Sequence, residues 1–380
     1  MENKRESGIE LLKILAIAMI VIAHVVQTLG KVEPQLSYYP TEAFINLSKS
    51  TMNFEIFILQ NMMYLGSLGN SIFFICSAWF LCDSKKVSFK KIALICLDVW
   101  IVSVLYLIII KSIGISIPMM MTIKSIFPTI FANNWYITFY ILIYAIHPLL
   151  NSVINQLNKN ELLRICLVFA FLYFGICFVK NNLFFASQLV TYSVLYFCIA
   201  YIKRYTPKYT TNMRLNIKLL FLAIVANVGL IFFTNILGII GTPYIKTLGE
   251  QVLRWASNYN PFLILTAISL FNIFKELHFV NKNINYISSL SLLIYVIHEN
   301  ILFRTYVRPC VYVYIYEVLG YNFLLLWVFL FAIILFLASL ALAGLYKQTI
   351  QKVTSKFADK ITPKLLSLFD KLEKKIIKIK

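Results

Sequence analysis

Three ionisable side chains stand inside an apolar run long enough to cross a bilayer: Glu10, Lys13 and His24 in ELLKILAIAMIVIAHVVQTLG. Burying a charge in hydrocarbon costs at least a few kcal/mol unless it faces protein or water, so such residues mark candidate sites. At ~100° per residue the steps from Lys13 to His24 close nearly three turns, and Glu10 falls on the same side, so the three share one helix face. A rise of ~1.5 Å per residue separates Lys13 from His24 by roughly 16 Å, placing one near a membrane surface and the other deep toward the opposite one. An imidazole at that depth can take up and return a proton, as a general base does, or act as a nucleophile. Glu10 and Lys13 also fit a simpler role, a lysine reaching for headgroups beside a carboxylate three residues away. A second pair, Tyr295 and His298 in ISSLSLLIYVIHE, is likewise spaced to share a face.

Such side chains need helices to hold them, and the composition supplies little else. The chain has 380 residues, 60% hydrophobic and 13% charged, with a mean hydropathy of +0.78, which marks an integral membrane protein. Runs of roughly 17–25 apolar residues fall at 8–29, 62–82, 92–111, 134–152, 162–179, 183–202, 217–240, 256–274, 286–304 and 321–346. The expected fold is therefore all-α, a polytopic transmembrane helical bundle of about ten spans over residues 1–346. No small-residue cleavage site follows the first run, so it reads as an uncleaved span. An even count puts both termini on one side. With the N-terminus inside, 25 lysines and arginines are internal and nine external, which places both termini in the cytoplasm and His24 in the outer half of the membrane.

Residues 347–380 form a separate cytoplasmic tail. Apolar residues recur from Ile350 through Val353, Phe357 and Ile361 to Ile379, and ten lysines stand against only Asp359, Asp370 and Glu373. This is a basic amphipathic helix, bent near Pro363, suited to an anionic inner leaflet; its heptad-like spacing also fits a coiled-coil seam.

Several classes are excluded. The net charge of +19 carries no nucleic-acid-reading motif and is accounted for by topology. The seven cysteines show no C-x-x-C spacing, so neither a disulfide framework nor a metal site is expected. The long connection from Lys31 to Asn61 contributes no site residue. Asn182, Gln188, Asn227 and Asn235 suit hydrogen bonds between helices.

Glu10-Leu-Leu-Lys13, ten residues, then His24 resembles the first helix of the membrane acyltransferase 3 family, whose usual pattern is acid-x-x-Arg, ten residues, His. Lys13 stands where that family has arginine, which keeps the charge and loses the bidentate fork. Phe73-Phe74-Ile75-Cys76-Ser77-Ala78 is similar to the family's Phe-Phe-x-x-Ser-Gly stretch, and Lys90 and Lys91 lie where relatives carry arginines. Trp135 opens a span with the family's aromatic entry, and Ser291 to His298 resembles its late Ser-x-x-x-Tyr-x-x-His signature.

The resemblance implies an acyltransferase moving acetyl from cytosolic acetyl-CoA to a hydroxyl of a cell-surface polysaccharide or its lipid-linked precursor, in a bacterial plasma membrane. It assigns catalysis to His24 and Glu10, and donor binding to Lys13, Lys90 and Lys91. Substrate or structural support falls to Ser77, Trp135, Tyr295 and His298. Acetyl-CoA is then a substrate and no cofactor is bound permanently. The competing classes are a transporter or flippase for a glycan or its precursor, for which intramembrane charges line a path, and a catalytically inactive relative.

Overall fold

The computed structural model describes residues 6–32, 54–179, 187–240, 257–319 and 323–377. Every described element is helical. In chain order the helices are α1 (Ser7–Val32), α2 (Phe54–Leu81), α3 (Phe89–Ser112), α4 (Met119–Ile126), α5 (Trp135–Gln156), α6 (Lys159–Val179), α7 (Gln188–Tyr205), α8 (Met213–Ile240), α9 (Pro261–Lys275), α10 (Lys282–Ser289), α11 (Ser291–His298), α12 (Arg308–Leu319), α13 (Leu324–Gln348) and α14 (Ile350–Ile377). A π-helical turn, Phe171–Ile176, interrupts α6, and another, Phe303–Val307, leads into α12.

Among the described residues seven helices are long and apolar enough to cross a membrane, and an eighth span forms if α10–α11 and the 303–319 helix count as one unit bent by 57°. The ten expected runs each meet a helix, but three fall short of that standard: α7, α9 with only 15 residues, and the 286–304 run, which is divided between α10 and α11 and counts only within the bent unit. Residues 303–319, read from the sequence as the end of a span and a connection, are helical instead. The connection beyond α1 lies largely outside the described residues, as does Asn182.

α1 is the axis of the bundle, packed along α2 and touching α9 to α13. Leu12, Ala16, Ile17, Ile20, Val21 and Val25 are buried on it. The close approach of α2 requires small residues. A Cβ on Gly69 would stand 2.5 Å from the Ala16 carbonyl oxygen, and one on Gly66 would stand 2.8 Å from Ala23 Cβ. The peripheral helix α8 exposes Phe221, Leu222 and Val225 and is fastened inward by amides. Asn272 Nδ2 donates to Asn216 Oδ1 at 3.0 Å, Asn260 Nδ2 to Asn227 Oδ1 at 2.6 Å, and Gln60 and Asn235 bond reciprocally at 3.1 and 2.6 Å. Gln188 accepts from Asn258. Each such bond between helices contributes about 1 kcal/mol in hydrocarbon, enough to fix neighbours that dispersion alone would let slide.

One end of the bundle gathers the start of α1, the short helix α10 and the end of α13. Ser7 N donates to the Phe279 carbonyl at 2.8 Å and Ser7 Oγ to Asn285 at 2.9 Å, while Lys347 Nζ donates to Ser289 Oγ at 2.5 Å. The first and last spans therefore begin and end on the same side. His24 lies seventeen residues along α1 from Ser7, at the far end, about 26 Å away.

Candidate active site

His24 points from α1 toward the C-terminal end of α11, where His298 and Glu299 arrive together. His24 Nδ1 is 3.0 Å from His298 Nε2 and 3.1 Å from Glu299 Oε2. His298 Nδ1 lies 2.7 Å from the Ile294 carbonyl one turn back. A carbonyl only accepts, so Nδ1 of His298 carries the hydrogen and, in the neutral ring, Nε2 holds a lone pair. His24 Nδ1 must then donate, shared between that lone pair and the Glu299 carboxylate. The same bookkeeping leaves the lone pair of His24 on Nε2, the tautomer a general base requires.

Glu299 is placed by the break in the span. α11 ends at His298, and the chain turns through Glu299 and Asn300 before entering the π-helical turn. Asn300 Oδ1 accepts from Leu302 N at 3.0 Å, and Asn134 Nδ2 donates to the Glu299 carbonyl at 3.4 Å, so the freed backbone groups are caught by side chains. Two arginines close on the carboxylate. Arg304 Nη1 is 2.9 Å from Oε1, and Arg308 Nη1, on a residue only 2% exposed, is 3.1 Å from Oε2. α12 is tied to α1 by Tyr312, which donates to the Val25 carbonyl at 2.6 Å. Two guanidiniums facing one carboxylate leave a surplus positive charge beside two histidines.

The ligand atoms of His24, His298 and Glu299 lie within 4.8 Å of one another, a spacing that would also suit a metal ion. The charges argue for a hydrogen-bonded relay instead. A divalent cation would face both guanidiniums across Glu299, and it would have to displace the bond between the two imidazoles.

At the other end of α1 a cavity of about 300 Å³ opens between α1, α2, α3, α5, α10, α11 and the start of α14. Lys13 and Lys91 line it, with Ser77, Ser288 and Asp98, and its wall continues through Ile17 and Ile20 to Tyr136 and Tyr295. Ile20 is one helical turn below His24. The Tyr295 ring centre is 6.2 Å from that of His24 and 6.2 Å from that of Tyr136, so a ring that lines the cavity is also a neighbour of the histidine.

The expected site residues thus separate into two groups. His24, Tyr295 and His298 come together. Lys13, Lys91 and Ser77 share the cavity, Ser77 donating to the Phe73 carbonyl of its own helix and Lys91 donating to Tyr140 at 2.9 Å beneath the Tyr144 ring. Glu10 is not brought to His24. Fourteen residues, about 21 Å of helix, lie between them. Its carboxylate instead accepts from Lys13 at 3.1 Å and from Ser288. Lys90 turns away from the cavity to pair with Asp359 at 2.6 Å. Trp135 is not part of the cavity wall; its neighbour Tyr136 is.

Sequence reasoning missed Glu299, Arg304, Arg308, Asp98 and Tyr136 as site residues. A signal existed for Glu299 and Asp98, acids within or at the edge of apolar runs. None existed for the arginines, whose partner is fixed only by the bend.

Fold and site together define a multi-pass helical membrane protein with a histidine–carboxylate cluster at one end and a basic cavity at the other. A family model described as an acyltransferase domain matches residues 6–344, nearly the whole chain, and the protein belongs to that family, acyltransferase 3. Comparisons with curated proteins and with solved structures return no match.

Proposed function

We propose that this membrane acyltransferase is an O-acetyltransferase that passes acetyl from cytosolic acetyl-CoA to a hydroxyl of a cell-surface polysaccharide or its lipid-linked precursor. It works in a bacterial plasma membrane with both termini in the cytoplasm. The observation that carries this reading is the His24–His298–Glu299 cluster standing above a basic cavity that opens at the opposite end of the same helix. The bundle end with Ser7 and Lys347 also collects Lys85, Lys90, Lys203 and Lys282, the bias expected of a cytoplasmic face.

The donor fits this cavity in parts. About 300 Å³ lies at the low end of ligand-site volumes. It suits a thin pantetheine arm, with the anionic nucleotide left at the mouth near Lys13 and Lys91. Movement of the Tyr136 and Tyr295 rings brings the thioester to His24. His24 Nε2 then takes the proton of the acceptor hydroxyl as its oxygen attacks the thioester carbonyl. The C–S bond breaks, and the departing thiolate takes the proton from the imidazolium. Glu299 offsets the positive charge on the ring, and the surplus arginine charge favours the oxyanion of the tetrahedral intermediate. Acetyl-CoA is a substrate in this scheme, and no bound cofactor is needed. A transient acyl group on His24 satisfies the same geometry.

Lys13 supplies charge to the donor, so its variants test the scheme at the donor end. Lys13→Arg retains or raises turnover, because the guanidinium fork suits phosphate. Lys13→Ala raises the apparent KM for acetyl-CoA roughly tenfold, about the value of one charged hydrogen bond, with kcat little changed. An unchanged KM in the alanine variant would refute the phosphate contact.

A further inference from the structure

The family match ends at residue 344, yet the chain continues into α14, and α14 forms part of the donor cavity. Asp98, on α3, is a carboxylate only 1% exposed in the wall of that cavity. Among the described residues its hydrogen-bond donors all come from the C-terminal segment. Tyr346 OH donates to Oδ1 at 2.9 Å, Gln351 Nε2 to Oδ2 at 2.6 Å, and Thr354 Oγ1 to Oδ1 at 3.4 Å. Two turns further on, Asp359 reaches back to Lys90 at the start of α3. Thr354 and Ala358 are buried between these two anchors, small residues that let the helices touch. The stretch 351–359 is therefore pinned along α3, and its first residue, Gln351, lines the cavity itself.

Asp98 is an expensive residue to bury in the donor site of an anionic substrate. Its charge opposes the phosphates that Lys13 and Lys91 attract, so a role in direct donor recognition is disfavoured. A latch explains it better. A buried carboxylate held by three neutral donors fixes the position of the segment that carries them. The other flank of α14 presents Val353 and Phe357, 68% and 50% exposed, beside exposed Lys360 and Lys364. An apolar pair edged by lysines matches an anionic leaflet, which would cover the side that the protein does not.

We propose that α14 is the outer wall of the acyl-donor site, with Gln351 as a donor-binding residue whose amide meets the polar pantetheine or nucleotide end, and Asp98 as the residue that positions it. This inference rests on acetyl-CoA being the donor. It is tested with the full-length protein in nanodiscs, by titrating acetyl-CoA calorimetrically and by timing trypsin cleavage after the exposed residues Lys352 and Lys356.

Gln351→Ala should weaken acetyl-CoA binding about tenfold and raise KM with kcat retained, the loss of roughly one hydrogen bond to the ligand. Asp98→Asn should weaken binding similarly and speed cleavage of α14 without donor. In the wild type saturating acetyl-CoA should slow that cleavage, and in Gln351→Ala it should slow it less. Equal affinity in the wild type and both variants, or cleavage indifferent to donor, overturns the assignment of α14 alone. A wild-type protein that binds no acetyl-CoA overturns both this inference and the function beneath it.

Discussion

Replacing His24 with alanine is expected to lower acyl transfer by about three orders of magnitude, within the range for loss of a positioned general base, while the protein reaches the membrane at its normal level. The effect is large because in the proposed scheme one ring serves twice, taking the proton from the acceptor and returning it to the leaving thiolate. A merely structural histidine would behave differently, and asparagine separates the two cases. The amide N–H of His24→Asn can stand where Nδ1–H stands, keeping the bonds to His298 and Glu299, but nothing replaces the lone pair on Nε2. This variant should therefore fold like the wild type and be as inactive as alanine. Turnover retained in His24→Asn would show that the imidazole only packs the bundle together.

The second large effect is expected at Glu299. Glu299→Gln removes the charge that faces the His24 imidazolium and should reduce turnover by about 10²–10⁴-fold. It also strands Arg308, which is 2% exposed, and leaving a buried charge unpaired costs on the order of 3–5 kcal/mol. Loss of folding and loss of chemistry would then be confounded. Adding Arg308→Met, of similar length and no charge, relieves the stranded guanidinium. Thermal stability of the double variant should recover toward the wild type and its turnover should not. If turnover returns with stability, Glu299 is a structural anchor and the charge argument fails.

Much of the fold was legible from hydropathy, because bilayer thickness dictates helix length almost independently of tertiary context. The His24, Tyr295 and His298 grouping was legible for a related reason: spacing on two helices of matched depth predicts proximity. What the sequence hid was set by breaks and rotations. Residues 303–319 carry Arg304 and Arg308 amid apolar residues, and counting those arginines as loop charges concealed a helix whose guanidiniums are consumed by Glu299.

Lys90 and Lys91 differ by one residue and thus by ~100° of rotation, so only packing decides which one faces the cavity. Glu10 shares a face with His24 but not a depth, and its Ser288 partner comes from a helix far away in sequence. In α14 the apolar seam that includes Val353 and Phe357 reads as a leaflet-facing side and is exposed in the structure; the side that meets α3 was not legible, because close packing there is made by the small residues Thr354 and Ala358.

In the proposed scheme a donor and an acceptor meet His24 from opposite sides of one membrane. Sealed, inverted membrane vesicles from cells making the protein expose the Lys13 end of the bundle to added radiolabelled acetyl-CoA while retaining the surface-glycan precursors inside. Label should enter the enclosed glycan with the wild-type protein and not with His24→Asn, and right-side-out vesicles given the same donor should stay unlabelled. Labelling in right-side-out vesicles, or equal labelling with the His24→Asn protein, would contradict it.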